Sequence, residues 1–198
     1  MNLLLFQTPS GDPYPVVQRR AEDHPSDRPD AGWLERWKVR VQKGYFLLAE
    51  RFNNEELVCA HLRHAQRLDV RHAARFSSDT VEKTLRKWLE ARQRKHTRWL
   101  WVDAVLAILA ISLGVLPGPN VFLYYPAIRS LGHLHARNGA RNVLSLQNLC
   151  VKPEPLIDEV QEKLHDLESA TDVVEELEKR YEIDGLRKLL AQLGKHES

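Results

Sequence analysis

WLWVDAVLAILAISLGVLPGPNVFLYYPAIR, Trp99 to Arg129, is the stretch whose reading decides the fold. Its first eighteen residues, Trp99 to Leu116, carry one charge, Asp103. As a helix they span about 27 Å, just under the ~30 Å of a bilayer's hydrocarbon. Trp99 and Trp101 stand at the start, where amphipathic aromatics favour a membrane interface. A basic run precedes them: Arg92, Arg94, Lys95, His96 and Arg98. The competing reading is a buried helix of a soluble bundle. Few helices in a chain of 198 residues are apolar all round, so the lipid reading is preferred.

Pro117-Gly118-Pro119-Asn120 breaks the helix, because proline removes an N–H donor and pushes the preceding residue out of the helical region. Val121 to Ile128 is apolar again but too short to cross alone, and Tyr124, Tyr125 and Arg129 give it an interfacial end. Two topologies follow. Trp99 to Leu116 crosses once, or PGPN forms the tip of a re-entrant hairpin with Arg98 and Arg129 on one side. Basic residues on both flanks favour the hairpin, while their excess before the span suits a single crossing. Asp103 also has two readings: a carboxylate near headgroup level, or a proton- or ion-linked acid inside the membrane. On a helix it shares a face with Ala107, Ala110 and Gly114, a small-residue stripe suited to close helix packing. Val105, Leu106, Ile108, Leu109 and Leu113 take the other faces.

Outward from this stretch the chain is polar. Charged residues are 28% of it, too many for a polytopic protein, and 29 basic residues nearly balance 27 acidic ones. A net charge of +2 argues against a general nucleic-acid binder. Cys59 and Cys150 lack metal spacing and read as reduced, half-buried thiols. Met1 to Thr8 holds four apolar residues, Leu3 to Phe6, and reads as a short strand or docked extended segment rather than a signal peptide. Five prolines between Pro9 and Gly32 mark an irregular linker.

Helices fill most of the rest. Trp33, Trp37, Val41, Tyr45, Leu48 and Phe52 recur at helical spacing. Leu57, Val58, Leu62, Ala65 and Leu68 line a second helix, entered at Asn54 with Glu55 and Glu56 in its first turn. His61 and His64 lie three apart on it, but no third ligand has recognisable spacing, so no metal site is expected. Arg71 to Ser77 is a basic connector, and Asp79 with Glu82 resembles a capping box for a third helix. Asn138-Gly139 is a helix stop. Beyond Pro153 and Pro155, the tail holds short amphipathic helices carrying Leu156, Val160, Leu164 and Leu167, then Val173 or Val174, Leu177 and Tyr181, then Leu186, Leu189, Leu190 and Leu193. The expected fold is therefore all-α: a bundle of amphipathic helices with one transmembrane span or re-entrant hairpin. The expected divisions are an N-terminal segment and linker (1–32), amphipathic helices (33–98), a membrane helix or hairpin (99–138) and a helical tail (139–198).

No P-loop, dinucleotide fingerprint, GxSxG or HExxH is present, so neither an enzyme nor a cofactor is expected. The run LPGPNVFLYYPAIRSLGHLHARNGA, Leu116 to Ala140, resembles the core motif of the mitochondrial K+–H+ exchange-related family. KHTRWLWVDAVLAI (Lys95 to Ile108) and GYFLLAERFNNEELVCAHLR (Gly44 to Arg63) fit the same resemblance. The resemblance implies a helical inner-membrane protein linked to potassium and proton homeostasis. Absence of a legible transit peptide adds the expectation of a bacterial relative in a bacterial inner membrane. Two functions are weighed. One is an accessory or regulatory protein of potassium/proton exchange. The other is a membrane-anchored interaction module without a transport role. Membrane lipids, a membrane protein and a second copy of the chain are the expected partners.

Overall fold

The computed structural model describes residues 1–8, 11–17, 54–113, 121–147, 149–164, 166–183 and 185–195. At positions 54, 110–113, 121–125, 127, 192 and 194–195 it describes the backbone alone. The expected helix from Trp33 to Phe52 and the PGPN turn, Pro117 to Asn120, lie outside the described residues.

The all-α expectation is overturned by a four-stranded sheet. Strands β1 (Asn2–Gln7), β2 (Pro13–Val17), β3 (Leu68–His72) and β4 (Leu149–Pro153) stand in the order β2-β1-β3-β4. β1 pairs antiparallel with β2, Leu5 opposite Pro15, and parallel with β3, Leu3 opposite Val70. β3 pairs parallel with β4, Val70 opposite Val151. Leu3 to Phe6 are buried without alternation, as expected of a strand covered on both faces. Part of the expected linker is thus an edge strand, where Pro13 and Pro15 are tolerated because their missing N–H groups cost no ladder bond. Leu68, read as the end of a helix, opens β3 instead, and Arg71 of the expected connector lies in the same strand.

The helices are α1 (Asn54–His61), continued by a 3-10 turn (Leu62–His64), α2 (Ser78–Leu113), α3 (Val121–Ser145), α4 (Pro155–Glu162), α5 (Thr171–Tyr181) and α6 (Leu186–Lys195). Ser77, rather than the expected Asp79–Glu82 box, caps α2: its Oγ accepts from the Thr80 N–H at 3.3 Å, while Glu82 pairs with Arg86. The expected stop at Asn138-Gly139 is passed, since α3 runs on to Ser145. Gly139 is needed there for another reason. A Cβ at this position would fall 1.6 Å from the carbonyl oxygen of Cys59, so α1 and α3 meet backbone to backbone.

The chain divides into two compact units. Unit 1 comprises Met1–Arg20, Ala65–Trp88 and Ser145–Ser198, and holds the sheet and α4 to α6. Its core joins Leu4, Phe6 and Val16 to Ile157, Val160, Val174, Leu177, Leu186 and Leu190. Of the residues expected to line the tail helices, Val160, Val174, Leu177, Tyr181, Leu186, Leu190 and Leu193 are buried, Leu156 and Leu189 are half-buried, Leu164 and Leu167 lie beyond α4, and Ile157 is buried in addition. Unit 2 comprises Ala21–His64 and Leu89–Leu144.

Among the described residues no helix is long and apolar enough to cross a membrane. The transmembrane span and the helical hairpin are therefore not supported. The reason lies in α2. It has 36 residues, but its N-terminal part is densely charged. The apolar part described, residues 99–113, reaches only about 22 Å. The segment after the break enters α3, which soon carries Arg129, His133, His135 and Arg137.

Candidate functional site

In unit 2, α2 has two unlike sides. At about 100° per residue, His96, Leu100, Asp103 and Ala107 fall on one side. Trp99, Trp101, Val102, Val105, Leu106, Ile108 and Leu109 cover roughly the opposite half-circumference. The structure keeps this division. His96 and Asp103 are buried, at 2% and 3% exposure, and Ala107 is half-buried. The seven apolar residues are exposed, Trp101 at 70%. Of the remaining expected packing-face residues, Ala110 is described by its backbone alone and Gly114 lies outside the described residues. Tyr124 and Tyr125 belong to the first turns of α3, where only the backbone is described.

Asp103 faces α3. Its Oδ2 lies 3.5 Å from His133 Nε2 and 3.6 Å from Arg129 Nε. No described group donates a hydrogen bond to that buried oxygen. Arg129 Nε also lies 3.4 Å from His133 Nε2, close enough to donate to it in the tautomer that leaves that nitrogen bare. On the far side of the ring, His133 Nδ1 meets His96 Nδ1 at 3.0 Å, and α1 contributes Glu56, its Oε1 3.9 Å from His133 Nδ1. Trp99 closes the edge: its ring centroid is 6.4 Å from that of His133, and the Arg129 guanidinium carbon lies 5.2 Å from the Trp99 ring. Arg92 and Lys95 reach Glu55 on α1, Arg92 at 2.6 Å.

Burial sets the proton affinities. It pushes Asp103 up from its ordinary 3.8, against the downward pull of His133 and Arg129. It pushes His96 down to about 4, with His133, Lys95 and Arg92 acting the same way. His133 is also lowered, by burial and then by Arg129 and Lys95, while Asp103 opposes the shift. A raised acid beside lowered bases brings their affinities together, the condition for easy proton exchange. Near neutral pH both imidazoles are uncharged, so the Nδ1–Nδ1 contact holds one proton, donated by one ring and accepted by the other.

Sequence reasoning singled out Asp103 but missed His96, His133 and Glu56. One signal was present: His96 and Asp103 are seven apart, which places them on one helical face. His61 and His64 serve local bonds, His61 Nδ1 donating to the Leu57 carbonyl and His64 Nε2 accepting from Arg63. Among the described residues no group of three or more ligands could hold a metal. Both cysteines are free. Cys59 is fully buried rather than half-buried, and burial pushes its thiol up to about 12.

These features define a protein with an α/β unit and a helical unit carrying a buried acid–base cluster beside an exposed apolar helix face. A profile described as mitochondrial K+-H+ exchange-related matches residues 35–147, more than half of the sequence, and the chain belongs to that family. The match covers every residue of the cluster. Searches of curated proteins and of solved structures find no match.

Proposed function

We propose that this protein is an accessory component of potassium–proton exchange that works docked on a mitochondrial inner membrane through the outer face of α2. The family supplies the link to potassium–proton exchange. The observation that carries the docking is the order of residues along that face. Arg94, Lys95 and Arg98 are exposed, Trp99 and Trp101 follow, and Val102, Val105, Leu106, Ile108 and Leu109 come last. Asp103 is the one acid between residues 91 and 113, and it points the other way. Basic, aromatic, then apolar is the sequence of environments met on entering a leaflet from water. Each basic side chain near an anionic surface adds about 1 kcal/mol, and the apolar residues add burial beyond the headgroups. A protein partner would gain nothing from that gradient.

Flotation with vesicles of neutral phospholipid, with and without anionic phospholipid, tests the docking. The protein should float with anionic vesicles, and Trp101→Glu with Leu109→Glu should lower binding at least tenfold. Wild-type protein that stays at the bottom of the gradient would defeat the reading. The exchange role is tested separately, by potassium-driven swelling of mitochondria lacking the protein. Normal swelling would leave a docked interaction module in place of an exchange component.

A further inference from the structure

We propose that His96, His133 and Asp103 form a proton relay, in which the two imidazoles pass a single proton between water and the Asp103 carboxylate without either ring becoming a cation. The geometry supplies the line of atoms. It runs from His96 Nδ1 to His133 Nδ1 at 3.0 Å, through the ring, and from His133 Nε2 to Asp103 Oδ2 at 3.5 Å. With Asp103 ionised, the favourable arrangement has Nε2–H of His133 facing the carboxylate. Its Nδ1 is then bare and accepts from Nδ1–H of His96.

As a proton arriving from water bonds to the bare Nε2 of His96, the bonds along the line shift in one concerted step. The Nδ1–H bond of His96 breaks and a new N–H forms at His133 Nδ1. The Nε2–H bond of His133 breaks and an O–H forms at Asp103. One proton has entered, the carboxylate has lost its charge, and both rings remain neutral with exchanged tautomers. The reverse sequence releases the proton.

The surroundings favour this end point. Arg129 on α3 and Lys95 and Arg92 on α2 oppose a charged imidazole, while Glu56 on α1 opposes the carboxylate charge. Asp103 is held above its ordinary value and His96 down at about 4, so the shifts bring the acid and the base toward each other. The Asp103 Oδ2 that would take it has no hydrogen-bond donor among the described residues. Arg129, 3.4 Å from His133 Nε2, becomes the donor to that nitrogen once its proton has moved to Asp103. The relay stands apart from the docking of α2 on lipid and operates in protein free of membrane.

The test is nuclear magnetic resonance of the full chain in solution, with nitrogen-15 in the histidines and carbon-13 in the carboxyl groups. On lowering the pH, His96 and His133 should exchange tautomers in one joint transition, both rings remaining neutral. The Asp103 carboxyl signal should move with the same midpoint, above 3.8. Asp103→Asn should abolish the joint transition. The proposal is overturned by imidazolium signals appearing at separate midpoints, by no tautomer change before unfolding, or by a transition that survives in Asp103→Asn. Should that variant fail to fold, the wild-type carboxyl decides: an Asp103 signal that titrates while both tautomers stay fixed refutes the relay. Vesicle binding bears on none of these readouts, so failure of the docking reading and failure of the relay are distinguishable.

Discussion

Glu154 of unit 1 and Asp103 of unit 2 are both buried carboxylates, at 7% and 3% exposure, and they are held in opposite ways. Glu154, between β4 and α4, accepts a short hydrogen bond from the Tyr181 hydroxyl and one from Arg180 at 3.2 Å. Arg71 lies near the far side of the tyrosine ring, 5.9 Å from its centroid. That carboxylate fastens α5 to the end of the sheet. Asp103 has the His133 ring at 3.5 Å, the Arg129 guanidinium at 3.6 Å and no donor to its Oδ2 among the described residues. A buried charge that is hydrogen-bonded holds a fold together; one that is merely near its partners is left free to gain or lose a proton.

The comparison breaks most heavily at Gly139. Alanine there must push Cys59 and the rest of α1 away from α3, and Glu56 moves with them. Backbone offers no rotamer to relieve the overlap, so Gly139→Ala should cost about 3 kcal/mol, at the upper end for overpacking. Chemical denaturation measures it, and a loss below about 1 kcal/mol would contradict the close approach. Next comes Tyr181→Phe, which leaves the Glu154 carboxylate with one partner fewer. A hydrogen bond to a buried charge is worth about 2 kcal/mol, and denaturation should show a loss of that order. A neutral result would erase the contrast between the two carboxylates.

The last test is in the pH dependence, and it sharpens the comparison. His96 and His135 are held at about 4 in the folded chain, His135 by burial and then by Arg63 and His64. Unfolded, each returns to 6.5, so between these values the unfolded chain binds more protons. Their contribution is full above 6.5 and is lost as pH falls toward 4. Asp103, raised in the folded state, acts the other way and regains stability as pH falls toward its folded value. Thermal melts should therefore decline from pH 6.5 to about 4, and more gently in His96→Gln. An equal slope in that variant would mean His96 carries no such load.

The tail was legible because Leu177, Leu186 and Leu190 obey a helical period and fill one core. The sheet was largely illegible. β3 offers only Leu68 and Val70 between two helical patterns, and β4 is five residues ending in proline. Strands paired in parallel bury both faces, so alternation, the usual strand signal, is missing from β1. The apolar run from Trp99 was read as a membrane segment with a packing face along Asp103, Ala107, Ala110 and Gly114, because periodicity separates the sides of a helix without showing what covers the apolar one. Asp103 was legible as an acid in an apolar run. His133 was not legible as its partner, because it stands 30 residues away on another helix and only packing joins them.

The prolines of β2 carry a consequence for how copies of this chain meet. Growth of fibrils by sheet extension needs an unbroken row of donors along an open border. Pro13 and Pro15 delete two of them from a border strand of five residues. On that side the sheet resists templating a further strand, so concentrated protein should not form cross-β aggregate nucleated at β2.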